Sequence, residues 1–404
     1  MLSMGSPTTA LRATWWWQGA VYFRRGMATP AAAAAILVFL PGCDFASSPS
    51  GSPNQEIPFD LDCSIPESDL HDGGVGLDGI PSLENPDLEP VADADPDLLP
   101  DSMRVVGVEL DGRAVAVPHN ILWHHEIVNL DLSGGRSVAI TYCPLTGSPL
   151  AFDRSDIADA ELGVSGLLHR NNLVMYDRSE DRSLWPQMSR MAQCGPRDGD
   201  ELSMIPVLDM TWPGWSQLHP DGEFVGFNTG HQVPGLDSPY EHYPYGDYES
   251  LQSDRTLFPQ ENPDGRRPMK ERVLGIPPKD PTAVDSDSTS EIAFPFLELA
   301  DGEGPVNVVH TEIEGEQVVV FWDEWSEAAR AYHAQVGSEV LSFEADGERI
   351  VDQETGSEWR IDGRAEAGDW EGERLEPVTR AYVAFWFAWT DFHPDTELWE
   401  RNGA

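Results

Sequence analysis

Apolar and polar positions along the chain alternate in short runs separated by turn residues. This is the pattern of half-buried strands at a spacing of about ten residues. "RVVGVEL" and "RAVAVP" flank Asp111-Gly112, a dipeptide suited to a two-residue hairpin turn. "SVAITYC", "PLAFDR", "ELGVSGLL" and "NLVMYDR" follow as further strands. "HNILWHHEIVNL", from His119, has helical spacing and predicts a short helix, and "TWPGWSQLHP" predicts another closed by Pro220.

The pattern then returns. "RVVGVEL" at Arg104 is answered by "ERVLGI" at 271–276, and "SLWPQM" around Trp185 by "SEWRID" around Trp359. "GDELSMIPV" at 199–207 is answered by "GERLEPV" at 372–378, and "WSQLHPDGEF" at 215–224 by "WTDFHPDTEL" at 389–398. Matches in the same order over both halves predict two copies of one unit rather than a short solenoid period. The expected fold class is α+β and β-rich: two internally duplicated, mainly antiparallel units with short helices. The first unit is placed at 72–225, a connecting loop segment at 226–270, and a second, degenerate unit at 271–404.

Residues 1–42 stand apart. Arg24-Arg25 precede an uncharged apolar run at 31–40, too short to span a bilayer and suited to a signal-peptide core. The run ends in Leu40-Pro41-Gly42-Cys43, which resembles the lipobox of prokaryotic lipoproteins. The resemblance implies cleavage before Cys43, lipid on its sulfur, and a chain tethered to the extracytoplasmic face of a membrane. Residues 43–71 read as a flexible acidic tether.

Seventy acidic residues against 25 basic ones give a formal charge of −45. Such a chain repels nucleic acid and anionic membrane surfaces. Only two lysines occur, Lys270 and Lys279. An acidic, lysine-poor surface fits a protein kept soluble in high salt. Self-repulsion at low ionic strength is screened by added salt, so the melting temperature is expected to rise toward molar potassium chloride. A flat melting curve across that range would show that the charge carries no such penalty.

"RVVGVELDGRAVAVP", "HHEIVN", "TYCPLTGSPLAFDR", "GVSGLLHRNNLVMYDR", "SLWPQM", "HPDG", "PYGDY", "KERVLGI" and "FHPDTEL" together resemble the domain of unknown function 3179 family over about residues 72–399. The resemblance implies no established activity. It implies a secreted or lipid-anchored protein of bacteria or archaea. Chemistry has to be read from side chains.

Three groups in the first copy are missing from the second. Cys143 is matched with Trp322, "HHEIVN" with "GEGPVN", and Met175 has no thioether counterpart in "GERIVDQ". A thiolate, imidazoles and thioethers form a soft ligand set that suits copper. The candidate metal ligands are His125, Cys143, Met175 and Met188, with His124 and His169 in reserve. A second reading makes Cys143 a nucleophile with His125 as base and Glu126 or Asp153 as orienter. A third is a non-enzymatic surface binding or structural module, with the tyrosine-rich "SPYEHYPYGDYES" at 238–250 either stacking on glycans or peptides or packing as an irregular cover. His219 and His393, kept in both copies, are expected to stabilise turn carbonyls. No metalloprotease helix, phosphate loop or dinucleotide fingerprint is present.

With Cys43 lipidated, Cys63, Cys143 and Cys194 remain, and one thiol must be left over. Cys143 sits in the family's motif while Cys63 and Cys194 do not. The simplest pairing is therefore Cys63 with Cys194, leaving Cys143 reduced. Pairing of Cys143 with Cys194 is the alternative.

Overall fold

The computed structural model describes residues 62–232, 239–279, 291–302 and 304–401. The apolar run at 31–40, the lipobox and Cys43 lie outside the described residues. No helix among the described residues is long and apolar enough to cross a membrane. The described chain is β-rich, with several mainly antiparallel sheets and four short α-helices: α1 His119–His125, α2 Trp212–Leu218, α3 Phe296–Ala300 and α4 Trp386–Phe392.

The hairpin of Arg104–Leu110 with Arg113–Pro118 closes through Asp111 (φ 51°) and Gly112 (φ 79°), both left-handed as its turn type requires. Glu314 (φ 50°) and Gly315 (φ 78°) close the hairpin of Val306–Ile313 with Glu316–Asp323 in the same way.

The sequence pattern misplaces one boundary. The helix expected over "HNILWHHEIVNL" stops at His125, and Ile127–Leu132 is a strand paired with Arg136–Cys143. The switch is made by Glu126, whose φ of 57° is unusual for a residue with a Cβ. Its amide donates to the Leu122 carbonyl at 2.9 Å, and its carbonyl accepts from the Tyr142 amide at 2.8 Å.

The same order of pairings runs through both halves. Val207–Thr211, Arg104–Leu110, Arg113–Pro118 and Glu223–Val225 are neighbours in one sheet, the last pair parallel. Tyr382–Phe385, Arg272–Ile276, Ile292–Pro295 and Glu397–Leu398 stand in the same order in another, again with the last pair parallel. The indole of Trp215 lies flat on Gly107, where an added Cβ would come within 1.9 Å of the ring; Trp389 does the same on Gly275, at 2.2 Å. Trp185 donates its indole N–H to Asp177 at 2.8 Å, and Trp359 to Asp352 at 3.0 Å. The halves also complete each other. The Thr211 amide donates to the Ser326 carbonyl at 2.9 Å, and the Phe385 amide to the Thr146 carbonyl at 2.8 Å.

Gly107→Ala and Gly275→Ala are each expected to cost about 1–3 kcal/mol, because a methyl group there forces a fully buried indole off its seat. Chemical denaturation of the two variants checks this, and wild-type stability in either would refute the packing.

Cys63 and Cys194 form a disulfide with Cα atoms 3.9 Å apart, and Cys143 is free and buried. The bridge ties the segment before the first strands to the first half. Backbone bonds from Ser64 to the Gln193 carbonyl and from Gly195 to the Asp62 carbonyl flank it.

Candidate functional site at the Cys143 corner

Cys143 ends the strand Arg136–Cys143, and Ser148 begins the return strand opposite it. Pro144 cannot extend the ladder, so the chain turns. The Cys143 carbonyl accepts from Thr146 at 3.2 Å and Gly147 at 2.8 Å. Gly147 has a φ of 60°, and a Cβ there would lie 2.7 Å from the Phe385 ring. The corner is pinned by a buried polar network. Asn172 donates to Thr146 Oγ1 (3.0 Å) and Gln187 Oε1 (2.8 Å), and Gln187 donates to Thr141 Oγ1 at 2.7 Å. Every member is partnered, so the loop that carries the thiol is held in one geometry.

Against this satisfied frame stand three ionisable groups without hydrogen-bonded partners of that quality. Cys143 is 1 % exposed; its sulfur lies 3.9 Å from the Asn171 carbonyl and also meets hydrogen-bonding groups of Thr146 and Leu173. Burial, with the nearby Glu126 charge, pushes its thiol up to about 11. Glu126 is 6 % exposed, its carboxyl has no hydrogen-bond partner among the described residues, and burial raises it to about 8. Lys270 is 1 % exposed, and its Nζ has no hydrogen-bond partner among the described residues. The amine lies 3.4 Å from the centre of the Tyr248 ring and 4.2 Å from that of Phe387. Burial lowers it to about 7, and the Cys143 charge opposes that shift. An aromatic face favours an ammonium but does not replace its lost water. Native proteins seldom leave buried polar groups unpaired, and clusters of shifted groups mark candidate sites of chemistry.

The cover over this corner comes from the connecting segment. Tyr248 donates to the Leu145 carbonyl at 3.0 Å, and both Tyr240 and Tyr248 are buried. The tyrosine-rich stretch therefore packs inward.

His125 lies on the same side but is committed. Its Nδ1–H donates to the Pro81 carbonyl at 2.7 Å, and its Nε2 accepts from the Tyr240 hydroxyl at 2.7 Å. Burial drives its pKa down to about 4. With both nitrogens engaged it offers no lone pair to a metal or proton to abstract. Met175 and Met188 pack in the apolar core with Trp185, Leu173 and Phe152. His124 approaches the His242 carbonyl, and His169 the Asp69 carbonyl. Asp153 pairs with Val138 at the far end of the hairpin and caps Ser155, away from the thiol.

Two expectations are corrected, one by strand register and one by side-chain contacts. Cys143 pairs with Ser148, and Asp323 pairs with Ala328. The counterpart of Cys143 is thus Asp323; Trp322 corresponds to Tyr142. His219 and His393 do not serve turn carbonyls. His393 stacks on Trp389 and bonds Glu291 (3.0 Å) and the Tyr382 hydroxyl (2.9 Å), whereas His219 packs on Trp215 and faces Glu109 at 3.8 Å. Glu109, His219 and Asp362 present ligand atoms within 4.8 Å of one another. The carboxylates there already pair with Arg374 and Arg360, so the cluster is charge-balanced without an ion.

Lys270 is missed by sequence reasoning. Its one mark in the sequence is rarity: it is one of only two lysines.

Residues 77–396 match the family described as "Protein of unknown function (DUF3179)". The match spans most of the chain, and the chain belongs to this family. Neither a curated protein nor a solved structure matches it.

Proposed function

We propose that the protein is a membrane-tethered, extracytoplasmic enzyme that transfers acyl groups through Cys143. What carries this reading is a chain of buried ionisable groups around Cys143: Glu126 acts on its charge, Cys143 acts on that of Lys270, and Tyr248 touches both the Lys270 amine and the Leu145 carbonyl beside the thiol. At neutral pH the Lys270 amine is poised to hold or release a proton, and Glu126 is poised as a carboxylic acid. Lys270 takes the thiol proton; the Cys143 thiolate attacks a carbonyl carbon and forms a thioester. The bond to the leaving group breaks, and Glu126 supplies that group's proton. Water or a second nucleophile then gives its proton to Glu126 and takes the acyl group as the carbon–sulfur bond breaks, and Lys270 returns its proton to the departing Cys143 thiolate. Access requires the cover around Tyr248 to move, since Cys143 is enclosed in the resting state.

Incubation with p-nitrophenyl acetate followed by peptide mapping tests the reading. The expected result is one acetyl group on Cys143, absent in Cys143→Ala, formed more slowly in Lys270→Met by at least about tenfold. An unlabelled Cys143, or equal rates with and without Lys270, would overturn it. The tether is tested separately: Cys43→Ser should release the protein from membranes or block its processing, and unchanged fractionation would refute the anchor.

A soft metal such as copper at Cys143 would need His125 to surrender a hydrogen bond to Pro81 or Tyr240, and for this reason the thiol–amine reading is preferred.

A further inference from the structure

In the second half, the position matching the Cys143 corner is open. A cavity of about 590 Å³ is lined there by Asp323, Trp325, Gln217, Glu348 and Trp359. Pairing register fixes the correspondence. Asp323 takes the place of Cys143, and Trp325 that of Leu145. Glu348 is the second turn residue of its hairpin, as Asn171 is of its own. Gln217 stands two residues beyond the glycine-seated Trp215, as Asp391 stands beyond Trp389.

At the Cys143 corner these same places are taken by polypeptide. Tyr248 donates to the Leu145 carbonyl at 3.0 Å. Asn171 closes a two-way pair with the Phe258 backbone, at 2.7 and 3.1 Å. Asp391 accepts from the Asn262 amide at 2.8 Å. Residues 248–262 thus run across the corner as an irregular chain with no strand or helix of their own. Three of their anchor points have counterparts that line the cavity.

We infer that the Asp323 cleft is a peptide-binding site that takes an extended, basic segment of another protein, in the way the Cys143 corner takes residues 248–262 of its own chain. Shape comes from that internal precedent, and charge from the lining. Arg349 is already paired with Glu358 at 2.5 Å, and Arg360 with Asp362. Glu348 and Glu366 add carboxylates that no ion pair among the described residues neutralises. Trp325 is 54 % exposed at the lip, a face on which a lysine or arginine can stack. Neither the thiol nor the acyl-transfer reading is needed for this site.

The test uses the purified full chain and two dye-labelled synthetic peptides. One has the sequence of residues 248–262, and the other carries lysine in place of Glu249, Asp254 and Glu261. Fluorescence anisotropy is expected to show saturable binding of the basic peptide that weakens as salt rises. Trp325→Ala, which removes an exposed side chain and should melt like the wild type, is expected to weaken it at least about tenfold. Glu348→Lys should do the same, while Cys143→Ala should not. Absence of saturable binding by the basic peptide, or equal binding by Trp325→Ala, would overturn the inference. So would displacement of the peptide by a neutral oligosaccharide such as xylohexaose, which would make the cleft a glycan site.

Discussion

Lys270→Met is expected to raise the unfolding free energy at pH 7 by about 4 kcal/mol while slowing the proposed acylation of Cys143. The amine is held neutral in the fold down to about pH 7, against 10.5 for an ordinary lysine. Between these values the unfolded chain binds the extra proton, so this group's contribution makes stability rise with pH; at and below about pH 7 its full cost is present. Glu126 works in the opposite sense. The folded chain keeps its proton up to about 8 against 4.5. Its contribution is intact below 4.5 and is lost as pH rises to about 8. Together the two groups predict a trough of stability between about pH 7 and 8, which should vanish in the Glu126→Gln/Lys270→Met double variant. Urea denaturation across pH 5 to 10 measures it. Destabilisation by Lys270→Met at every pH would mean that the lysine is a charged structural anchor on Tyr248. A buried group kept at such a cost is the trade expected where function opposes stability.

Removing the disulfide should have an effect of similar size. It closes a loop with a sequence separation of 131, worth about 4–5 kcal/mol in the chain-entropy account and less where the unfolded chain is compact. Cys63→Ala/Cys194→Ala is expected to lose most of that in guanidinium denaturation, and a reducing agent should destabilise the wild type but not the variant. Cys194 also packs with Leu167, Val174, Tyr176 and Leu184, which adds a small cavity cost. A wild type indifferent to reductant would show that the bridge does not bear on stability.

What the sequence made legible was local. Asp111-Gly112 announces its hairpin, and Thr211 and Pro213 announce α2, where Thr211 accepts from the Gly214 amide. What stayed hidden depends on distant parts of the chain. Glu126 ends a helix in a left-handed conformation that nothing in "HHEIVN" signals, because the Leu122 and Tyr142 backbones impose it. Likeness of Tyr142 to Phe321 sets Cys143 against Trp322, whereas hydrogen-bond register sets it against Asp323. His125 stands as a candidate ligand or base in the sequence because "HHEIVN" has no histidine counterpart in "GEGPVN" and lies close to Cys143 along the chain. Its true neighbours, Pro81 and Tyr240, come from far along the chain and use up both nitrogens. The surroundings of Lys270 are hidden for the same reason: the rings that enclose it, Tyr248 and Phe387, lie on either side of it in sequence at a distance no motif spans.

The reciprocal bonds from Thr211 to Ser326 and from Phe385 to Thr146 have a bearing on cooperativity. Each half lends the other a hairpin-turn carbonyl that takes up the last amide of a strand, so neither satisfies that strand end alone. Unfolding of one half strips a partner from the other and exposes Trp215 or Trp389 together with it. The described chain should therefore lose its structure in one transition rather than half by half. The covalent link between the halves keeps each at high effective concentration for the other, so a nick in the connecting segment should make refolding concentration-dependent where the intact chain is not.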